Sequence, residues 1–293
     1  MPRYTLIVFL LISTTLFSKT DLTVETYKLD NGLTVMLNPD QYASKVFGAV
    51  VIKGGGKQDP ADATGIAHYL EHMLFKGTDI LGTVDYKSEK VYLDSIESYY
   101  NILGQTKDAE KRASIQEMIN NLNLKASEFA IPNEFNRLIE GFGGTGVNAF
   151  TSNDIIAYVS QFPTHQMQKW LSINSHRFEN PVFRLFQSEL ETVYEEKNRS
   201  MDNAFRMLFE QFFENFFREH PYGQQTIIGT KEHLKNPSIK KMKEYYDTYY
   251  ISNNMTLMLA GNFDLKLTKE EIKKTFGKLK AGPDPEFVDV KEM

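Results

Sequence analysis

The sequence predicts an α+β fold, with strands grouped in runs and helices packed between the runs. Three observations carry that expectation. Two apolar runs flank Asp30-Asn31-Gly32, a strong short-range hairpin signal. Helical periodicity fills most of the middle of the chain, and strand-like runs return near 147–162 and 255–260. Strands distributed in this way do not suit a regular doubly wound sheet.

In order, Val24–Leu29 and Leu33–Leu37 form the hairpin and Val46–Ile52 a third strand, ending at Gly54-Gly55-Gly56. That triplet is a poor phosphate cradle, because no Lys-Ser/Thr follows and no helix begins there. A helix covers Gly65–Phe75. Residues 79–131 form a helical hairpin insertion. Leu93, Ile96, Tyr100 and Leu103 share one face of its first helix, and Ile115, Ile119, Leu122, Ala126 and Phe129 one face of its second. A short helix at Glu134–Glu140, a turn at Gly141–Gly146 and strands at Val147–Phe150 and Ile155–Phe162 come next. Helices follow at His165–Phe178 and Leu185–Arg199. Phe205, Phe209, Phe212, Phe213, Phe216 and Phe217 then recur at helical spacing, which predicts an amphipathic helix with its aromatic stripe in the core. Met255–Ala260 is a late strand and Lys269–Thr275 a late helix.

Composition narrows the function classes. The chain has 293 residues, 41% hydrophobic and 24% charged, in the range of a globular domain with a sizeable core. Lys and Arg total 33 against 38 Asp and Glu, a net charge of −5, which argues against a nucleic-acid partner. Cysteine is absent, so no disulfide, thiolate metal ligand or thiol nucleophile is available and any metal site must use His, Asp or Glu. Arg3, the apolar run Leu6–Ile12 and the small polar residues around Ser13–Ser18 have the layout of an export signal. Its Thr5–Phe17 segment is short of the roughly 20 residues that span a bilayer. Residues 1–18 are therefore expected to be removed on export, to the periplasm or outside, leaving no stable membrane span. Residues 22–280 form the main domain and 281–293 the start of a linker.

The chemistry concentrates in Gly65-Ile66-Ala67-His68-Tyr69-Leu70-Glu71-His72. On a helix His68 and His72 lie one turn apart on one face, the spacing needed to hold one zinc ion. Glu71 reaches that face without displacing either, where a carboxylate can serve as general base toward water activated by the metal. With only six His in the chain, shuffling yields about 0.01 copies of His-x-x-Glu-His. Burying such a polar cluster unpaired in an apolar helix would also be costly.

This order, the inverse of His-Glu-x-x-His, is the inverzincin arrangement. The run resembles the pitrilysin (insulinase) family of zinc metallopeptidases. Further ordered blocks extend the resemblance over about Thr23–Asp264: Gly143-Gly144 with Asn148-Ala149-Phe150-Thr151-Ser152, His176-Arg177-Phe178, Asn180-Pro181, Pro221-Tyr222-Gly223, Ile228-Gly229-Thr230 and Ser252-Asn253-Asn254-Met255. The resemblance implies a mixed, largely antiparallel sheet covered by helices, and one Zn2+ per chain. It implies that Glu196, closing Glu189-Leu190-Glu191-Thr192-Val193-Tyr194-Glu195-Glu196, is the third ligand, and that Glu189 orients a ligating His. Without the resemblance Glu191 and Glu195 compete with Glu196. It also implies that Asn148, Ala149, Phe150 and Thr151 form an edge strand pairing with peptide substrate; by its residues alone Asn148 is equally a turn residue after Gly146.

The implied activity is endopeptidase hydrolysis of unfolded peptides or small proteins with Glu71 as general base. Members of the family pair this unit with a second homologous half, expected here downstream, on a separate chain or as a second copy. A zinc-binding but non-catalytic or partner-dependent subunit is the alternative, and a hydrolase of non-peptide amides a third.

Overall fold

The computed structural model describes residues 23–288 and 290; the expected export signal lies outside them. Six strands form one sheet: β1 (Glu25–Lys28), β2 (Thr34–Pro39), β3 (Val46–Lys53), β4 (Thr145–Thr151), β5 (Ile155–Phe162) and β6 (Met255–Gly261), in spatial order β1-β2-β6-β3-β5-β4. The late strand β6 inserts between β2 and β3, parallel to the first and antiparallel to the second, so Leu257 stands opposite both Val35 and Val50. All other pairings are antiparallel. The sheet is mixed and largely antiparallel, as expected. Leu33, Val35, Leu37, Val50, Ile52 and Leu257 are fully buried in its core.

Helices follow the chain as α1 (Ile66–Met73), α2 (Tyr86–Gln105), α3 (Ala109–Ser127), α4 (Glu134–Gly141), α5 (Met167–Glu179), α6 (Phe186–Met201), α7 (Ala204–Phe216), α8 (Pro221–Gln224), α9 (Lys231–Lys235), α10 (Ile239–Tyr249) and α11 (Leu265–Thr275). Sequence periodicity misses α8 and α9, each too short to show a repeat, and α10, whose buried Ile239, Met242, Tyr245 and Tyr249 do follow one. It also starts α11 late: Asp264 caps it, accepting from the Leu267 N–H at 2.8 Å. Among the described residues no helix is long and apolar enough to cross a membrane.

The predicted helical hairpin is α2 and α3. Its base is closed by paired backbone bonds, Val84 N to Phe129 O and Ile131 N to Gly82 O, so the chain enters and leaves it at adjacent points. Ile96, Tyr100, Leu103, Ile119 and Ala126 are buried on the faces the periodicity selects.

One expectation is overturned. The aromatic stripe of α7 is not in the core: Phe205, Phe209, Phe212 and Phe216 are 69, 47, 55 and 64% exposed, and no residue of this helix is buried. The helix instead turns Arg206 and Glu210, both half-buried, toward the body. Periodicity identifies an apolar face without saying which way the fold turns it.

Two anchors position α1 for function. Asp59 caps its start, accepting from Gly65 N at 2.6 Å and Ala67 N at 2.9 Å; burial pushes this carboxyl up to about 7 against those bonds. Gly65 precedes the helix at φ +92, close against Ile228 and Gly229, where a Cβ would come within 2.7 Å of Ile228 O. At the other end, the buried Arg177 donates from Nε to Leu74 O at 2.9 Å. Its guanidinium lies 4.1, 4.2 and 4.4 Å from the ring centroids of Phe75, Phe135 and Tyr158.

Candidate metal centre

Helix α1 packs between β4 and α6, and the site forms from these three elements. His68 Nε2 lies 3.5 Å and His72 Nε2 3.7 Å from Glu196 Oε2. One ligand atom from each of His68, His72 and Glu196 lies within 4.8 Å of the others, a group able to hold a metal ion. Glu196 shares this cleft with the two histidines, whereas Glu191 and Glu195 line a different cavity.

Glu189, two turns before Glu196, meets His72 Nδ1 at 2.8 Å. With the Nδ1 proton donated to this carboxylate, Nε2 keeps its lone pair toward Glu196. Glu189 also pairs with Lys76, a residue that sequence reasoning passed over. Helical spacing does not find it, because α1 ends at Met73 and Lys76 reaches Glu189 from the loop beyond.

The electrostatics agree with a site built for a cation. Burial, the charge of His72 and that of Arg206 push His68 down to about 3, so it is a neutral ring able to ligate. His68 Nδ1 is buried with no hydrogen-bond partner among the described residues. Burial pushes His72 down, but the Glu189 hydrogen bond and the charges of Glu189, Glu71 and Glu196 outweigh it and raise its pKa. Burial likewise raises Glu189, but its bonds to His72 and Lys76 outweigh that and lower it. Two imidazoles and a carboxylate are a donor set suited to zinc that leaves a coordination position open.

Glu71 is buried and stands beside this group without joining it. Burial raises its pKa, partly opposed by the hydrogen bond that Thr151 Oγ1 donates to Glu71 Oε2 at 2.5 Å. Asn148, Ala149, Phe150 and Thr151 all lie in β4, the last strand of the sheet, so Asn148 is a strand residue and not a turn. Within the described sheet β4 pairs only with β5, with a register irregularity between Thr145 and Asn148, and its other edge is free. The cleft between β4, α1 and α6 measures about 570 Å³ and is also lined by Asn136 and Arg206. Neither residue carries a sequence signal of its own.

Metal-free protein should show the Glu189 linkage directly. Its lowered pKa means that stability from its ionised form is present above the usual Glu range and lost as pH falls below it. The raised His72 pKa means the opposite: its contribution is present below the usual His range and lost as pH rises through the folded value. Glu189→Gln should flatten the acid limb of a stability–pH profile by on the order of 1 kcal/mol. The same change should weaken zinc binding by about 10–100-fold. Melting curves in chelator from pH 3 to 8 and a competitive zinc titration measure the two effects. An unchanged acid limb and unchanged affinity would remove Glu189 from the site.

The mixed sheet and the His-x-x-Glu-His helix together define an inverzincin-type α+β unit. A family model described as insulinase (peptidase family M16) matches residues 34–88 and 103–230, more than half the chain. The chain therefore belongs to the insulinase family, peptidase family M16. A second model, for the peptidase M16 inactive domain, matches residues 238–292. Among curated relatives, zinc protease PqqE of Helicobacter pylori is 28% identical over 260 residues, covering 87% of this chain and 47% of PqqE. The chain spans about half the length of the curated relatives it matches. The fold matches a protease structure from Helicobacter pylori at TM-score 0.67 and 24% identity, covering 91% of this chain and 53% of that one. It also matches the first half of the periplasmic protease PqqL from Escherichia coli at TM-score 0.63 and 22% identity, covering 91% and 48%.

Proposed function

We propose that this chain is the metal-bearing unit of a zinc-dependent endopeptidase acting on unfolded peptides or small proteins. The observation that carries the reading is the convergence of His68, His72 and Glu196 in one cleft with the separate carboxylate of Glu71 and the open edge of β4. His68, His72 and Glu196 would hold one zinc ion. Zinc bound there would supply Lewis acidity, lowering the pKa of water to near 7 and polarising a peptide carbonyl.

The chain's own groups do the rest. Thr151 donates to Oε2 of Glu71, leaving Oε1 to take a proton from the attacking water and return it to the leaving amine. The raised pKa of Glu71 suits it to hold that proton between the two transfers. A peptide laid along β4 would add a strand through backbone hydrogen bonds, which tolerates many sequences.

The half-length match to relatives supports a second homologous unit as partner, downstream, on another chain or as a second copy. Residues 1–18 would act as an export signal, and the likeness to a periplasmic protease supports that location; an exported protein that keeps these residues on N-terminal sequencing would refute it.

The test is incubation of the purified chain with a mixture of unfolded peptides, with and without a zinc chelator. Chelator-sensitive cleavage is the expected result. A folded, zinc-loaded chain that leaves every peptide intact would reject the self-sufficient enzyme in favour of a partner-dependent or non-catalytic subunit.

A further inference from the structure

Helix α7 is turned the unexpected way round. Phe205, Phe209, Phe212 and Phe216 face outward, while Arg206, Glu210 and Phe213 face the body, and Arg206 lines the same cleft as His68, Glu71 and β4. A guanidinium is a poor neighbour for a cation site, and its charge helps hold His68 neutral. Its placement there therefore calls for an anion. Asn203 caps the helix by accepting from Arg206 N at 3.0 Å, which fixes the backbone of this residue. Arg206 Nε donates to Glu210 Oε1, one turn on, at 3.4 Å. Nη1 and Nη2 donate to no group among the described residues, and this pair is the fork that takes a carboxylate through two parallel bonds. The other cation of the cleft, Lys76, is engaged by Glu189. The remaining charged groups there, Glu71, Glu189 and Glu196, repel an acid.

We infer that Arg206 is a specificity-determining residue that receives a peptide carboxylate, from an Asp or Glu side chain or from a free C-terminus. The inference rests on the peptidase reading, whose substrate it narrows. Glu210 sharpens it: with Arg206 neutralised, an unpaired carboxylate remains and favours basic peptides instead.

The experiment measures binding, so it needs no turnover. Zinc-loaded full chain carrying Glu71→Gln is titrated with fluorescent, C-terminally amidated peptides that hold a single Asp, Asn or Lys at successive positions. A further pair differs only in a C-terminal acid or amide. At one position, or at the C-terminus, the acid should bind about tenfold more tightly than its amide counterpart, and which of the two arms responds identifies the source. Arg206→Gln should erase that difference and Arg206→Glu should reverse it toward Lys peptides, with melting curves showing both variants folded. An acid preference that survives Arg206→Gln, or a parent protein that does not distinguish acid from amide or binds no peptide, overturns the inference. The peptidase reading is judged separately with Glu71 intact: Arg206-dependent binding without any cleavage would reject the self-sufficient enzyme and leave this inference standing.

Discussion

Glu71→Gln is expected to abolish peptide cleavage while leaving the bound zinc content unchanged. Glu71 is not among the three clustered donors, so its loss should not release the ion. A positioned general base contributes about 10²–10⁴-fold, and kcat should fall by at least that range. Gln keeps the shape and can still accept from Thr151, but it cannot take a proton. His68→Ala or Glu196→Gln should instead lose zinc and activity together. The metal-free protein offers a second readout with the opposite sign to Glu189. Burial raises the Glu71 pKa, so the folded state holds this proton after the unfolded chain has released it. Stability therefore falls as pH rises from the usual Glu range to the raised value, and Glu71→Gln should flatten that fall. Full cleavage by Glu71→Gln, with zinc in place, would remove it as the base.

The centre of this site was legible because its spacing is local. His68, Glu71 and His72 lie within five residues, and one turn of helix is enough geometry to bring them together. Glu196 was legible only through family resemblance. Three glutamates compete on the same helix, and which of them faces α1 depends on how α6 packs, a long-range outcome. Lys76 lies past the end of α1 and Arg206 reaches the cleft from a separate helix, so no pattern in the chain announces either.

The sheet shows the same divide. The Asn31-Gly32 turn and the apolar runs of β3 and β5 identify strands locally, but no local feature places β6 between β2 and β3. The aromatic stripe of α7 was read correctly as a helix and wrongly as core. A moment measures the asymmetry of a helix, and its direction is decided by neighbours. Here those neighbours are α6 and α8, which take the side bearing Arg206, Glu210 and Phe213 and leave the other four rings outside.

Arg184 is a buried stability determinant that patterning leaves unmarked, and its loss should be severe. Its side chain is 1% exposed and that of its partner Glu89 is 0% exposed. Nε and Nη2 donate to the two oxygens of Glu89 at 2.9 and 3.1 Å. Nη1 donates to Lys76 O at 2.8 Å and Leu81 O at 2.9 Å, and Nη2 to Thr78 O at 2.7 Å. One guanidinium thus ties the first turn of α2 to the loop that leaves α1. Gly77 makes room for it: at φ +102, a Cβ there would come within 2.8 Å of Nη1. Arg184→Ala or Glu89→Ala alone strands a buried charge and should cost about 3–5 kcal/mol, lowering the melting temperature by roughly 10 °C. Arg184→Lys should recover little, because an ammonium cannot span five acceptor contacts held in a plane. Arg184→Met with Glu89→Leu removes both charges and should be less destabilising than the sum of Arg184→Met and Glu89→Leu made singly. It should still fall short of the parent, since the carbonyls of Lys76, Thr78 and Leu81 lose their donor. Because that loop carries Lys76, zinc affinity should drop with stability in each variant. Strictly additive losses in the double-mutant cycle would show that the two charges do not act as a pair.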